Sequence, residues 1–207
     1  MNEKMNIEIN EKNMKIENGK LVVEIDAGLE KLLKIRRLCD VKPGTIINGK
    51  YIVLEQLLCD TAIVIRKELL TEPMNFDENN NDWKSSSRRE YLNSSYLKEV
   101  EDEFGGKNIL PHYTDLLSLD GLGDYGECTD KIGLLSIDQY RKYRKLLTPV
   151  DRAWWLVTPD STPSGTGSSC VRGVRGDGYV GYDGCRWCHG VRPFFYLKSD
   201  IFVSCDN

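Results

Sequence analysis

Cysteine, histidine and clustered carboxylates are the side chains of this sequence that could carry covalent or metal chemistry. Cys185-Arg186-Trp187-Cys188-His189 spells C-x-x-C-H, the attachment pattern of c-type haem. Such attachment needs export and a distal axial ligand, and here His189 leads at once into the β-prone Gly190-Val191-Arg192-Pro193. A zinc site needs about four ligands. Cys170, Cys185, Cys188 and His189 supply that number on paper, but no spacing rule ties Cys170 to the others. Residues 77–82 begin like an EF-hand loop, yet Asp82 stands where glycine is needed and Arg88 where the bidentate glutamate belongs. Looser calcium ligation by Asp115, Asp120 and Asp124 competes with a simpler reading of the three as solvated turn formers. The chain has 2 histidines, His112 and His189, and no G-x-S-x-G motif. His112 reads as a loop histidine after Pro111. The expectation is a chain with no catalytic residues, no cofactor and no metal.

Bulk properties point the same way. A length of 207 residues, 40% hydrophobic and 29% charged, suits one folded domain with a small appendage. The net charge of -4 gives no overall attraction for polyanions, so no nucleic-acid partner is expected. No apolar run reaches about 18 residues, and the opening MNEKMNIEINEK lacks the apolar stretch of a signal peptide. Cytoplasmic synthesis without membrane insertion is therefore expected, with virion association as one destination. The odd cysteine count of 7 argues for reduced thiols over a disulfide framework.

The periodicities predict the elements that would position a site. Asn18-Gly19 between short apolar-alternating runs predicts a hairpin over residues 14–25. Residues 26–40 predict a short amphipathic helix, so residues 1–40 read as an extension able to assemble a homo-oligomer and 41–207 as the main domain. TIINGKYIVLEQLL and TAIVIRKELL predict an antiparallel pair about Cys59-Asp60. Tyr91, Leu92, Tyr96, Leu97 and Val100 fall on one side of a helix capped from Ser85–Ser87. Residues 112–129 read as a long acidic loop, followed by a second helix capped near Ser136 and closed by Pro149. Trp154–Val157 and Val191–Leu197 are β-prone. Between them, residues 162–189 contain no Leu, Ile, Phe, Lys, Glu, Gln or Asn and read as displayed loops.

The blocks FDENNNDWKSSSRREYLN, TDLLSLDGLGDYGEC, LLSIDQYRKYR, AWWLVTPDSTPS, DGYV and GVRPFFYLKSDIFVS, in this order, resemble an uncharacterised domain family of Firmicute genomes and prophages. That family is similar to the C-type lectin-like fold of formylglycine-generating enzymes and of the variable proteins of diversity-generating retroelements. The resemblance implies an α+β, C-type lectin-like fold with two helices packed on antiparallel sheets and a small N-terminal extension. It also implies that GVRP is a framework strand following a displayed segment. Val180, Cys185 and Gly190 would then be structure-keeping, with 181–184 and 186–189 as displayed loops. Adenine-directed mutagenesis of asparagine codons yields Ser, Gly, Cys, Arg, Tyr, Asp and His, the types that dominate residues 164–189. Loops and recognition surfaces use many of the same types without any diversification.

The binding expectation falls on Arg172, Arg175, Tyr179, Tyr182, Arg186, Trp187 and His189. Tyrosine and tryptophan bury large rigid faces at small entropic cost, and arginine supplies forked donors. Trp187 has a second reading as packing beneath the loop. The ligand class is an unspecified protein or glycan, for instance on a bacterial surface. Two other readings stand beside this one. A phage virion subunit would use the same domain for packing. An oxidase of the formylglycine-generating type would need Cys185 and Cys188 as its copper-binding pair.

Overall fold

The computed structural model describes residues 34–206 and the backbone of two strands before them, β1 (Met14–Glu17) and β2 (Lys20–Val23). The chain divides into two units, residues 1–35 and 36–207. In the first, β1 and β2 pair antiparallel with Met14 opposite Val23 and Glu17 opposite Lys20, the hairpin predicted around Asn18-Gly19. Most of the helix expected over 26–40 lies outside the described residues. Its last part is corrected: Ile35–Arg37 is a strand, β3, and Leu38–Asp40 a single 3-10 turn that buries Leu38.

The second unit is α+β. Its main sheet runs β10–β14–β6–β5–β4–β15 with β3 at the far edge, and β7 also pairs with β14. These strands are β4 (Ile46–Ile47), β5 (Tyr51–Leu57), β6 (Thr61–Arg66), β7 (Ile109–Leu110), β10 (Ile132–Gly133), β14 (Phe194–Lys198) and β15 (Phe202–Asp206). The registered pairs within it are antiparallel. The β5–β6 turn places Cys59 and Asp60 at φ 62° and 54°, the left-handed region that so tight a reversal demands.

Unbroken apolar runs such as Ala62-Ile63-Val64-Ile65 form when a sheet is covered on both faces. Here Tyr51, Val53, Ala62 and Val64 enter one core cluster, while Ile52, Leu54, Ile63 and Ile65 enter another. The first face is covered by a helical run made of α1 (Ser87–Tyr91), a π-helical turn (Leu92–Tyr96) and α2 (Leu97–Phe104), which bury Leu92, Tyr96, Val100 and Phe104. Ser86 caps this run by accepting from the Arg89 N–H at 3.1 Å. The second face is covered by α3 (Ile137–Tyr143) through Ile137, Tyr140 and Tyr143. Its cap is reciprocal: the Gln139 N–H donates to Ser136 Oγ at 3.2 Å and the Ser136 N–H to Gln139 Oε1 at 2.9 Å.

The acidic loop expected over 112–129 is also corrected. Its ends pair as β8 (His112–Asp115) and β9 (Glu127–Asp130), with His112 opposite Asp130. His112 is a buried strand residue, stacked on Tyr196 at 4.9 Å and 10°. Both its ring nitrogens lack hydrogen-bond partners, and burial pulls its pKa down to about 4.

Candidate functional site

A three-stranded sheet, β11 (Trp154–Pro159), β12 (Cys170–Val174) and β13 (Val180–Gly184), carries the segment singled out in the sequence. Residues 181–184, expected as a displayed loop, are therefore the edge strand. Thr162, expected within the displayed stretch, is fully buried. Trp154 and Trp155 point to opposite sides, since Trp154 joins the second core cluster and Trp155 the first. Beneath the display, Val171, Val174 and Cys185 are buried, whereas Val180 is partly covered. Cys185 is tied down by its backbone: its N–H donates to Ser169 O at 2.7 Å and its carbonyl accepts from the Phe76 and Asp77 N–H groups.

Paired residues in an antiparallel ladder share a face, and successive residues alternate. Arg172 lies opposite Tyr182, with its guanidinium 5.3 Å from that ring centroid. Arg172 Nη2 also meets Asp160 Oδ1 at 2.7 Å, which leaves its side chain only 15% exposed. Gly184 is on the same face by alternation, and a Cβ there would touch the Trp187 ring at 3.3 Å. The other face carries Arg175 and Tyr179. Their cation–π contact is 5.5 Å, and both lie over Gly181, whose Cβ would come 3.6 Å from Arg175 Nε. Asp183 shares this face, and its Oδ2 lies 2.9 Å from His189 Nε2. The His189 ring packs at 4.3 Å on Trp155, so its side chain is 14% exposed.

The seven candidate residues therefore gather around one edge strand but on its two faces. Tyr179, Tyr182 and Trp187 are 62%, 56% and 65% exposed. Arg175 and Arg186 are exposed as well, with Arg186 Nε reaching back to Glu78 O. Arg172 and His189 are the two that neighbours mostly cover. Tyr182 on the strand and Tyr179 just before it each have an arginine over the ring, a cation–π arrangement.

The cysteines are separated by environment. Cys185 is buried and its thiol pushed up by desolvation, whereas Cys188 is exposed. Among the described residues, no three His, Cys, Asp or Glu side chains form a group that could hold a metal ion.

Two arginines that sequence reasoning missed hold the frame. Arg192 of the GVRP block is 1% exposed. It donates from Nε to Arg66 O at 2.9 Å, from Nη1 to Thr148 O at 3.1 Å, and from Nη2 to Lys67 O and Thr148 Oγ1 at 2.6 and 2.9 Å. Arg88 is likewise buried and donates from Nε and Nη2 to Asn75 O. Gly190 opens this block, and a Cβ there would crowd Ala153 O at 3.2 Å as well as the end of the Leu69 side chain. Asn81 is a third anchor, donating to Ser161 O and Cys170 O while accepting from the Tyr125 hydroxyl at 2.6 Å. The sign available in sequence was G-V-R-P itself, a charged residue inside an apolar run.

Comparison with family models, curated proteins and solved structures gives no match to this chain. Among the described residues, no helix is long and apolar enough to cross a membrane.

Proposed function

We propose that this chain is a non-enzymatic recognition protein of C-type lectin-like build and phage or prophage origin. Its ligand is a protein or glycan of a bacterial surface, and residues 164–189 are the part open to diversification. The supporting observation is the contrast around β13: three aromatic rings more than half exposed stand on a backbone anchored by buried Val171, Val174 and Cys185. Rigid aromatics beside forked donors are what hot spots are made of. Because β13 is an edge strand, a ligand can reach both faces around it, and the two arginine–tyrosine pairs act as separate arms of one surface. Copies joined through the N-terminal segment would add avidity. The Cys185 environment supports the non-enzymatic reading, since a thiol held protonated by burial is a poor metal ligand or nucleophile.

The test is capture of the purified protein on glycan arrays and immobilised bacterial-surface extracts. Tyr182→Ser or Arg175→Gln is expected to cost about tenfold or more in affinity with an unchanged unfolding midpoint. Undiminished capture by a protein whose residues 164–189 are replaced with Gly and Ser would overturn the proposal.

A further inference from the structure

A second recognition feature lies at the other end of β13, where the β12–β13 turn meets the end of α3. There a cavity of about 180 Å³ is lined on one side by Leu147, Pro149 and Val150 and on the other by the turn residues 175–178. Three arginines are among its lining residues, Arg144, Arg175 and the buried Arg192.

The turn and Arg144 are fixed to one another. The Tyr140 hydroxyl donates to Gly178 O at 3.0 Å, and the Arg144 guanidinium lies 5.9 Å from the Tyr140 ring centroid. Gly178 has φ 83°, which favours glycine, and a Cβ there would stand 2.9 Å from Arg144 Nη2 and displace that guanidinium. Neither Arg144 nor Arg175 forms an ion pair among the described residues. The hydrogen bonds of Arg192 all go to neutral oxygens, leaving a whole positive charge buried without a carboxylate against it. Burial lowers the pKa of Arg192 to about 10, consistent with a cation short of compensation.

None of the carboxylates nearby forms an ion pair with Arg144, Arg175 or Arg192 among the described residues. Asp177 lines the cavity, but its Oδ1 accepts from the Tyr179 N–H at 2.9 Å. Asp151 pairs with Arg152 at 3.4 Å, and Glu68 stands 3.8 Å from Lys67 while acting on Arg192 only through its field.

We infer that this cavity binds a small monocarboxylate bearing a short apolar substituent, its carboxylate paired with Arg144, with Arg175 at the rim, the buried Arg192 charge acting through its field, and its substituent against Leu147, Pro149 and Val150. Guanidinium groups match the carboxylate geometry. A strongly hydrated dianion such as phosphate would lose more solvation on entering a half-apolar recess than it regains. The cavity shares Arg175 with the proposed recognition surface but not Tyr182 or Trp187, so Tyr182→Ser tests that proposal alone and Arg144→Gln tests this one alone.

The experiment titrates the full chain with isobutyrate, neutral isobutyramide and inorganic phosphate, following the backbone amide signals of Gly176 and Gly178 by NMR. Isobutyrate is expected to saturate with a Kd on the order of 1 mM, isobutyramide to shift neither signal, and phosphate to bind more weakly. Arg144→Gln should weaken isobutyrate about tenfold without moving the unfolding midpoint, and Asp177→Asn should tighten it. Equal shifts with isobutyramide, tighter binding of phosphate, full affinity in Arg144→Gln, or no saturation by about 100 mM isobutyrate would each overturn the inference.

Discussion

Mild acid is expected to weaken this fold through one side chain. His112 is 4% exposed, packed 4.8 Å from Phe194 and stacked on Tyr196, and neither Nδ1 nor Nε2 has a partner. Desolvation favours the neutral ring and brings its pKa from 6.5 to about 4, against the opposing pull of the Asp130 charge. Between those two values the unfolded chain takes up a proton that the native chain refuses, so stability falls as pH drops through that window and is flat above it. A gap of roughly 2.5 pH units at about 1.4 kcal/mol each totals about 3 kcal/mol, of which about 2 kcal/mol is lost by about pH 5. The carboxylates held low by hydrogen bonds, such as Asp77 and Asp120, act below their own unfolded pKa of about 4. They therefore contribute little above pH 5. The assay is urea unfolding of the native chain and of His112→Phe at about pH 7 and pH 5, read as the difference of differences so that any packing cost of the larger ring cancels. The substitution should remove about 2 kcal/mol of pH dependence. Equal acid sensitivity in the two proteins would refute the reasoning.

Two further outcomes follow from the frame. Gly133→Ala would place a Cβ 2.8 Å from His112 Nε2 and 2.9 Å from Phe194 Cε1, and is expected to cost about 1–3 kcal/mol in urea unfolding through overpacking. Arg192→Lys keeps the charge but loses the fork, stranding buried carbonyls of Arg66, Lys67 and Thr148. A loss of about 3 kcal/mol is expected by the same measurement, and native stability in that variant would show that the fork is dispensable.

The elements legible in the sequence were those with one dominant signal. Residues 61–66 read as a buried strand because every interior position is apolar, and Ser136 marked a helix start that forms as read. Strands β8 and β9 were not legible, because in His112-Tyr113-Thr114-Asp115 the buried positions are His112 and Thr114 while Tyr113 faces out, the reverse of the usual apolar-in pattern. Ile35–Arg37 continued a helical charge pattern, yet edge pairing in the sheet decides its conformation. Arg88 and Arg192 were invisible for another reason: charge normally reads as surface, and only the tertiary arrangement brings together the carbonyls that satisfy a buried guanidinium. At the site, residue types predicted an aromatic and arginine display. The division of Arg172 and Tyr182 from Arg175 and Tyr179 depends on register, which composition does not specify.

The most direct measurement replaces Arg175, Tyr179, Tyr182, Arg186 and Trp187 together with serine and records unfolding free energy and surface capture on the same preparation. A framework that carries its display without depending on it should lose no more than about 2–3 kcal/mol, set by two cation–π contacts and some apolar cover, while capture disappears. A chain that fails to fold, or one that captures as well as before, would contradict the division between frame and display.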